Sequence, residues 1–141
     1  MKRVIASGTL AMAFVSLLGL GLVSQVQAGE CSNASTKGSY GFSCEGTIVG
    51  VGPLAVIGVY SADGNGTSSG TETVSLNGTI IPGLTFTGTY SVNANCTGSL
   101  MTTTPDGAVT HHDLVIDDNK KEIRILVTEP GRVIACIFRK Q

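Results

Sequence analysis

The chain's two histidines stand together in His111-His112-Asp113. Adjacent imidazole and carboxylate groups are the residue types of metal ligation and of general acid–base work. On an extended strand, however, successive side chains leave opposite faces, so His111 and His112 do not converge on one metal through strand geometry. His112 is in phase with Leu114 and Ile116, and that phase predicts an inward imidazole. An inward histidine is either a satisfied core or rim residue or a group that meets a ligand. Nucleophilic catalysis would need Ser or Cys beside a base and a carboxylate. The serines fall in turns and on polar faces, and no GxSxG elbow occurs. Asp113, Asp117, Asp118 and Glu122 are the carboxylates available for paired acid–base work, but Asp117 and Asp118 adjoin Asn119 and read as a solvated hairpin tip. Residues 63–67, Asp-Gly-Asn-Gly-Thr, place oxygens as a calcium loop begins. Ser68 then stands where the EF-hand needs Gly, and Val74 where it needs Glu, so a hairpin turn is the better reading. The sequons at Asn33, Asn65, Asn77 and Asn95 read as Asn-turns beside Thr-rich strands. No catalytic residue, metal or cofactor is assigned.

The segment that precedes these groups reads as targeting. Lys2 and Arg3 lead an apolar run from Val4 to about Val23, and Val26-Gln27-Ala28 is a small-x-small step of the kind signal peptidase cuts. Residues 1–28 are therefore expected to be a secretory signal peptide and 29–141 a single mature domain. Glu30 before Cys31 argues against lipidation, because a lipobox needs a small residue there. The whole chain has nine basic and ten acidic residues; without Lys2 and Arg3 the basic count is seven and the formal charge −3. A mildly acidic chain argues against nucleic acid or an anionic membrane surface as partner. After cleavage, no apolar stretch is long enough to span a bilayer.

All four cysteines, Cys31, Cys44, Cys96 and Cys136, follow the expected cleavage site. An even count in an exported domain reads as two disulfides with three pairings open. No CxxC or HxxxH pair suggests zinc instead.

The elements that must position these residues are strands. Between Leu84 and Tyr90, Thr85, Thr87 and Thr89 alternate with Leu84, Phe86 and Tyr90, the period of a strand with one wet and one buried face. Turn signals recur at Gly50–Pro53, Asp63–Gly66, Asn77-Gly78 with Pro82-Gly83, Asn93–Asn95, Pro105–Gly107, Asp117–Asn119 and Glu129–Gly131. Eight strands fit between them, at about 39–49, 53–61, 68–77, 84–93, 97–104, 109–117, 121–128 and 132–139. Every connection is too short to cross a sheet, which predicts a meander. Closing it removes both unpaired edges, so the expected fold is all-β: a closed eight-stranded antiparallel up-and-down barrel. Tyr40, Phe42, Cys44 and Ile48 share one face of the first strand, and Ile134, Cys136 and Phe138 one face of the last. If those strands close the barrel, Cys44 meets Cys136. Numbering the strands up and down puts Cys31 and Cys96 at one end, where their bridge would tie the N-terminal segment across it. Each bond is expected to contribute roughly 2–4 kcal/mol.

Three stretches carry a resemblance: KGSYGF (37–42), SLNGTI (75–80) with TGTYSVNANCTG (87–98), and KEIRIL (121–126), together with the DGNG turn (63–66). In chain order they resemble a group of small exported bacterial proteins, mostly of unknown function, that look like eight-stranded barrels of the calycin or allene-oxide-cyclase type. The resemblance implies the same closed barrel and carries no catalytic residues with it. Cyclase activity is a fold-level analogy only.

The barrel interior is then the candidate site. Tyr40, Phe42, Phe86, Tyr90, His112, Ile125 and Phe138 are expected to face it, and Gly46, Gly58 and Gly88 fall on the same faces. Inward glycines either leave room for a ligand or supply the bends of a tight barrel. Three functions follow in order. The first is a binding module for a small apolar ligand, in the periplasm or outside the cell. The second is a filled barrel that acts through its loops on other proteins. The third is an allene-oxide-cyclase-like isomerase. A cavity of a few hundred cubic ångströms would favour the first, a packed interior the second, and a convergent polar group of displaced pKa the third.

Overall fold

The computed structural model describes residues 30–141; the expected signal peptide, 1–28, lies outside the described residues. A short 3-10 turn, Asn33–Thr36, leads into eight strands: β1 Gly38–Ile48, β2 Gly52–Ala62, β3 Thr67–Leu76, β4 Thr79–Val92, β5 Thr97–Thr103, β6 Val109–Asp117, β7 Glu122–Val127 and β8 Arg132–Lys140. Each pairs antiparallel with the next, and β8 pairs with β1 to close the barrel. Closure brings Cys44 directly opposite Cys136, and the two are bonded. Cys31 is bonded to Cys96 in the β4–β5 hairpin. Two disulfides in one small domain belong to an oxidising environment. Among the described residues no helix is long and apolar enough to cross a membrane.

Alternation fixes which side chains enter the barrel. Tyr40, Phe42 and Cys44 on β1 and Ile134, Cys136 and Phe138 on β8 are buried, whereas Thr85, Thr87 and Thr89 on β4 are exposed. The turns sort to two ends. The 3-10 turn and the β2–β3, β4–β5 and β6–β7 connections form the lower end; the β1–β2, β3–β4, β5–β6 and β7–β8 connections form the upper.

One strand departs from its expected bounds. β4 starts at Thr79, not near residue 84. The chain turns on Asn77-Gly78 alone, both with positive φ (48° and 85°), as a tight hairpin requires. Pro82-Gly83 does not break the strand. Glu72 pairs with Leu84 and Val74 with Ile81, so Thr73 opposes two residues in a β-bulge that absorbs the proline.

The inward glycines are bends rather than room. A Cβ on Gly58 would lie 2.4 Å from the Thr71 carbonyl oxygen and 2.8 Å from the Phe42 ring. A Cβ on Gly70 would lie 2.2 Å from the Phe86 ring. One on Gly46 would strike the β8 backbone, and one on Gly88 would strike Ser68 and Leu100. The large rings fold over the glycines of neighbouring strands, which lets a narrow barrel hold four of them across its middle.

Candidate functional site

Phe42, Tyr60, Phe86 and Phe138, from β1, β2, β4 and β8, meet at mid-height. Phe42 meets Phe138 edge-on at 4.5 Å between centroids and Phe86 at 6.1 Å; Tyr60 stacks on Phe138 at 5.1 Å and on Phe86 at 6.4 Å. These geometries suit the ring quadrupoles. Burial pushes the Tyr60 phenol up to about 12, so it stays neutral. The cluster divides the interior in two.

Below it, most polar groups are engaged with neighbouring groups, although the buried Ser68 Oγ has no partner. Tyr40 donates its hydroxyl hydrogen to the Thr36 carbonyl at 2.9 Å. The Tyr90 hydroxyl accepts the Gly64 N–H at 2.8 Å and donates to Asp63 Oδ1 at 3.3 Å. Asp63 Oδ1 also accepts the Asn65 and Thr67 N–H groups, and those bonds hold its pKa below the usual carboxylate range. The 63–67 stretch is thus a hairpin turn whose carboxylate is committed to its own backbone. Asn33 Oδ1 accepts the Val92 N–H at 2.8 Å, and the Cys31–Cys96 bond lies beside it.

Above the rings lies a cavity of about 160 Å³. Its floor is the aromatic cluster. Leu54, Val56, Leu100, Ile125, Val127 and Ile134 form its walls, and Thr102, Thr104, Thr110, His112, Glu72 and Arg132 add polar groups. The volume falls short of the few hundred cubic ångströms of a drug-sized pocket, and matches an engineered apolar cavity that holds benzene.

His112 Nδ1 lies 3.1 Å from the Leu100 carbonyl oxygen. A carbonyl only accepts, so Nδ1 carries the hydrogen, and in the neutral ring Nε2 is left as an acceptor. Burial lowers the His112 pKa and favours that neutral form. Glu72 enters the cavity beside the β3–β4 bulge, and burial raises its pKa. Among the described residues neither His112 nor Glu72 has a side-chain hydrogen-bond partner. Arg132, exposed at the rim, donates from Nη1 to Thr110 Oγ1 at 3.1 Å.

The expected interior residues separate accordingly. Phe42, Phe86, His112, Ile125 and Phe138 line the cavity; Tyr40 and Tyr90 lie beneath the floor and belong to the lower closure. The cavity has further lining residues outside that expected set, Glu72 and Tyr60 among them. Glu72 is in phase with Val74 and Leu76, and Tyr60 with Val56 and Leu54, so period-two reading of β2 and β3 carries the signal for both. His111 faces outward, where Nδ1 meets Glu129 Oε1 at 2.9 Å. Glu122 binds Arg124 and Arg139, and Arg124 also reaches Asp117, an exposed surface network at the lower end.

The chain matches no protein-family model, and no curated protein is significantly similar to it. Two solved structures are similar in fold. One is a de novo designed fluorescence-activating β-barrel, 13% identical, covering 74% of this chain and 93% of its own, with a TM-score of 0.56. The other is a redesigned β-barrel, also 13% identical, covering 77% of this chain and 94% of its own, with a TM-score of 0.58. At that identity the likeness is one of fold: the closed antiparallel eight-stranded barrel.

Proposed function

We propose that this protein is an exported, calycin-like barrel that binds one small, largely apolar molecule, of about the size of a six-membered ring, in the upper half of its interior. The observation that carries the reading is the division of that interior. Below the rings most polar groups are committed to neighbouring backbone, Ser68 Oγ excepted, while the half above them keeps a 160 Å³ space with aliphatic walls into which Glu72 and His112 bring polar groups with no side-chain partner among the described residues. Cleavage after Ala28 and release into the periplasm or beyond belong to the same proposal, in line with the two disulfides. The likeness to a fluorescence-activating barrel supports it at the level of architecture.

A second reading has one observation in its favour. Ile57 (67% exposed) and Ile137 (42%) flank Ser43 on the outer face of β2, β1 and β8, with Val59 (53%) beside them. Such an apolar outer stripe suits contact with another protein. The isomerase reading asks for a polar group of displaced pKa in the cavity, and His112 and Glu72 meet that condition. They stand three strands apart, and among the described residues no side chain is bonded to either to relay a proton.

Native mass spectrometry of protein purified from an oxidising compartment tests the main reading. A reproducible small-molecule adduct on the wild type, lost in Thr102→Phe, which fills the cavity, is the expected result. A bare mass for both, with benzene failing to bind either, would overturn it.

A further inference from the structure

Within the ligand-binding reading, on which this inference rests, the chemistry of the cavity narrows the class of ligand. Glu72 is the one acidic side chain that lines it and Arg132 the one basic side chain. The two form no ion pair among the described residues; Arg132 sits exposed at the rim on Thr110. A carboxylate drawn into a half-apolar space without a cation is costly, and the upward displacement of its pKa by burial expresses that cost. Among the described residues no group relieves it.

What surrounds Glu72 favours a cation. It pairs across the sheet with Gly58, over which the Phe42 ring is folded. Gly70, the preceding residue on the same face, carries the Phe86 ring. Glu72 thus shares the lining of the cavity with two aromatic rings, Phe42 and Phe86, whose centroids are 6.1 Å apart. Ring faces and a carboxylate together attract an ammonium group, the first through the quadrupole and the second through charge. On the other wall His112 is neutral, with its Nδ1 hydrogen committed to Leu100, so it does not repel a cation, and Nε2 offers an acceptor. An anion would meet Glu72 unfavourably. A hydrocarbon would fit the aliphatic walls but give Glu72 no partner, and so bind more weakly than an ammonium of the same size.

We propose that Glu72 is the counter-ion of the bound molecule, and that the cavity takes a small organic ammonium: an apolar body of about ring size bearing a protonated amine. The β4 bulge at Pro82-Gly83 lies opposite Thr73, next to the point where this carboxyl enters.

The test is an NMR titration of the full mature chain, with disulfides intact, using cyclopentylamine, cyclopentanol and benzene as probes. The amine is cationic at neutral pH, and the alcohol has nearly its shape. Wild type is expected to bind the amine at least tenfold more tightly than the alcohol. Glu72→Gln is expected to keep its fold and its affinity for the alcohol, and to lose the preference for the amine. Equal binding of amine and alcohol by wild type, or a preference that survives in Glu72→Gln, would overturn the ammonium inference and leave the ligand-binding reading standing. Failure of all three probes, benzene included, would overturn both.

Discussion

The two ends of the barrel use their polar groups in opposite ways. At the lower end the hydroxyls of Tyr40 and Tyr90, the carboxylate of Asp63 and the amide of Asn33 each hold a neighbouring backbone group. A disulfide fastens the 3-10 turn beneath them. At the upper end Glu72 and His112 are half-buried; among the described residues Glu72 has no hydrogen-bond partner and His112 spends only one of its ring nitrogens. Polar groups drawn from water are ordinarily satisfied; at the lower end most are, with Ser68 Oγ the exception, and at the upper end Glu72 is not. The proposed ligand above the aromatic floor would account for that difference.

Substitutions should keep the two ends apart, and the largest effects should come from the floor and the lower closure. Phe86→Ala empties the space over Gly70 and unstacks Tyr60; denaturant unfolding should show a loss of about 3–5 kcal/mol. Replacing Cys31 and Cys96 by Ser should cost about 2–5 kcal/mol in the same assay, since the bond closes a separation of 65 residues. Tyr90→Phe leaves the buried Gly64 N–H without its acceptor and should cost about 1–3 kcal/mol. Glu72→Gln should show the contrast most sharply. It removes an unpartnered carboxyl and should leave stability within about 0.5 kcal/mol of wild type or raise it. A loss as large as that of Tyr90→Phe would place Glu72 with the structural groups.

The pH dependence should be the smallest effect, and its sign differs between the two upper-end groups. His112 has its pKa lowered in the folded state, so below about pH 6.5 the unfolded chain takes up a proton that the folded chain refuses. Stability therefore falls with acidification from there, and His112→Gln should flatten that limb of a melting-temperature profile. Glu72 has its pKa raised. Its contribution is fully present below the unfolded carboxyl value and is lost as pH rises through the folded one, so Glu72→Gln should flatten a slope of opposite sign.

Much of this architecture is legible in the residues. Period-two alternation and Gly/Asn/Asp turns place all eight strands. The sharing of one face by Tyr40, Phe42 and Cys44 and by Cys136 and Phe138 foretells the closure and the disulfide across it. The misses have local causes. Pro82-Gly83 reads as a stop, but Thr73 opposite two residues turns it into a bulge inside β4. The 3-10 turn at Asn33–Thr36 is too short for periodicity, and its place depends on Cys96, far along the chain. Tyr40 and Tyr90 share the inward phase of Phe42 and Phe86, and phase alone does not say at what height a side chain stands or which hydroxyl finds a carbonyl. Glu72 was within reach of the same alternation; a lone carboxylate in phase with Val74 runs against the expectation that strand charges face water.

The division of the interior is tested most directly by methyl NMR of the mature protein titrated with benzene. Shifts are predicted for the methyl groups of Leu54, Val56, Leu100, Ile125, Val127 and Ile134, which line the cavity, with those of Ala62, Ile116 and Ile123 below the floor unmoved. An unresponsive upper set, or a response shared equally by the lower one, would contradict the account.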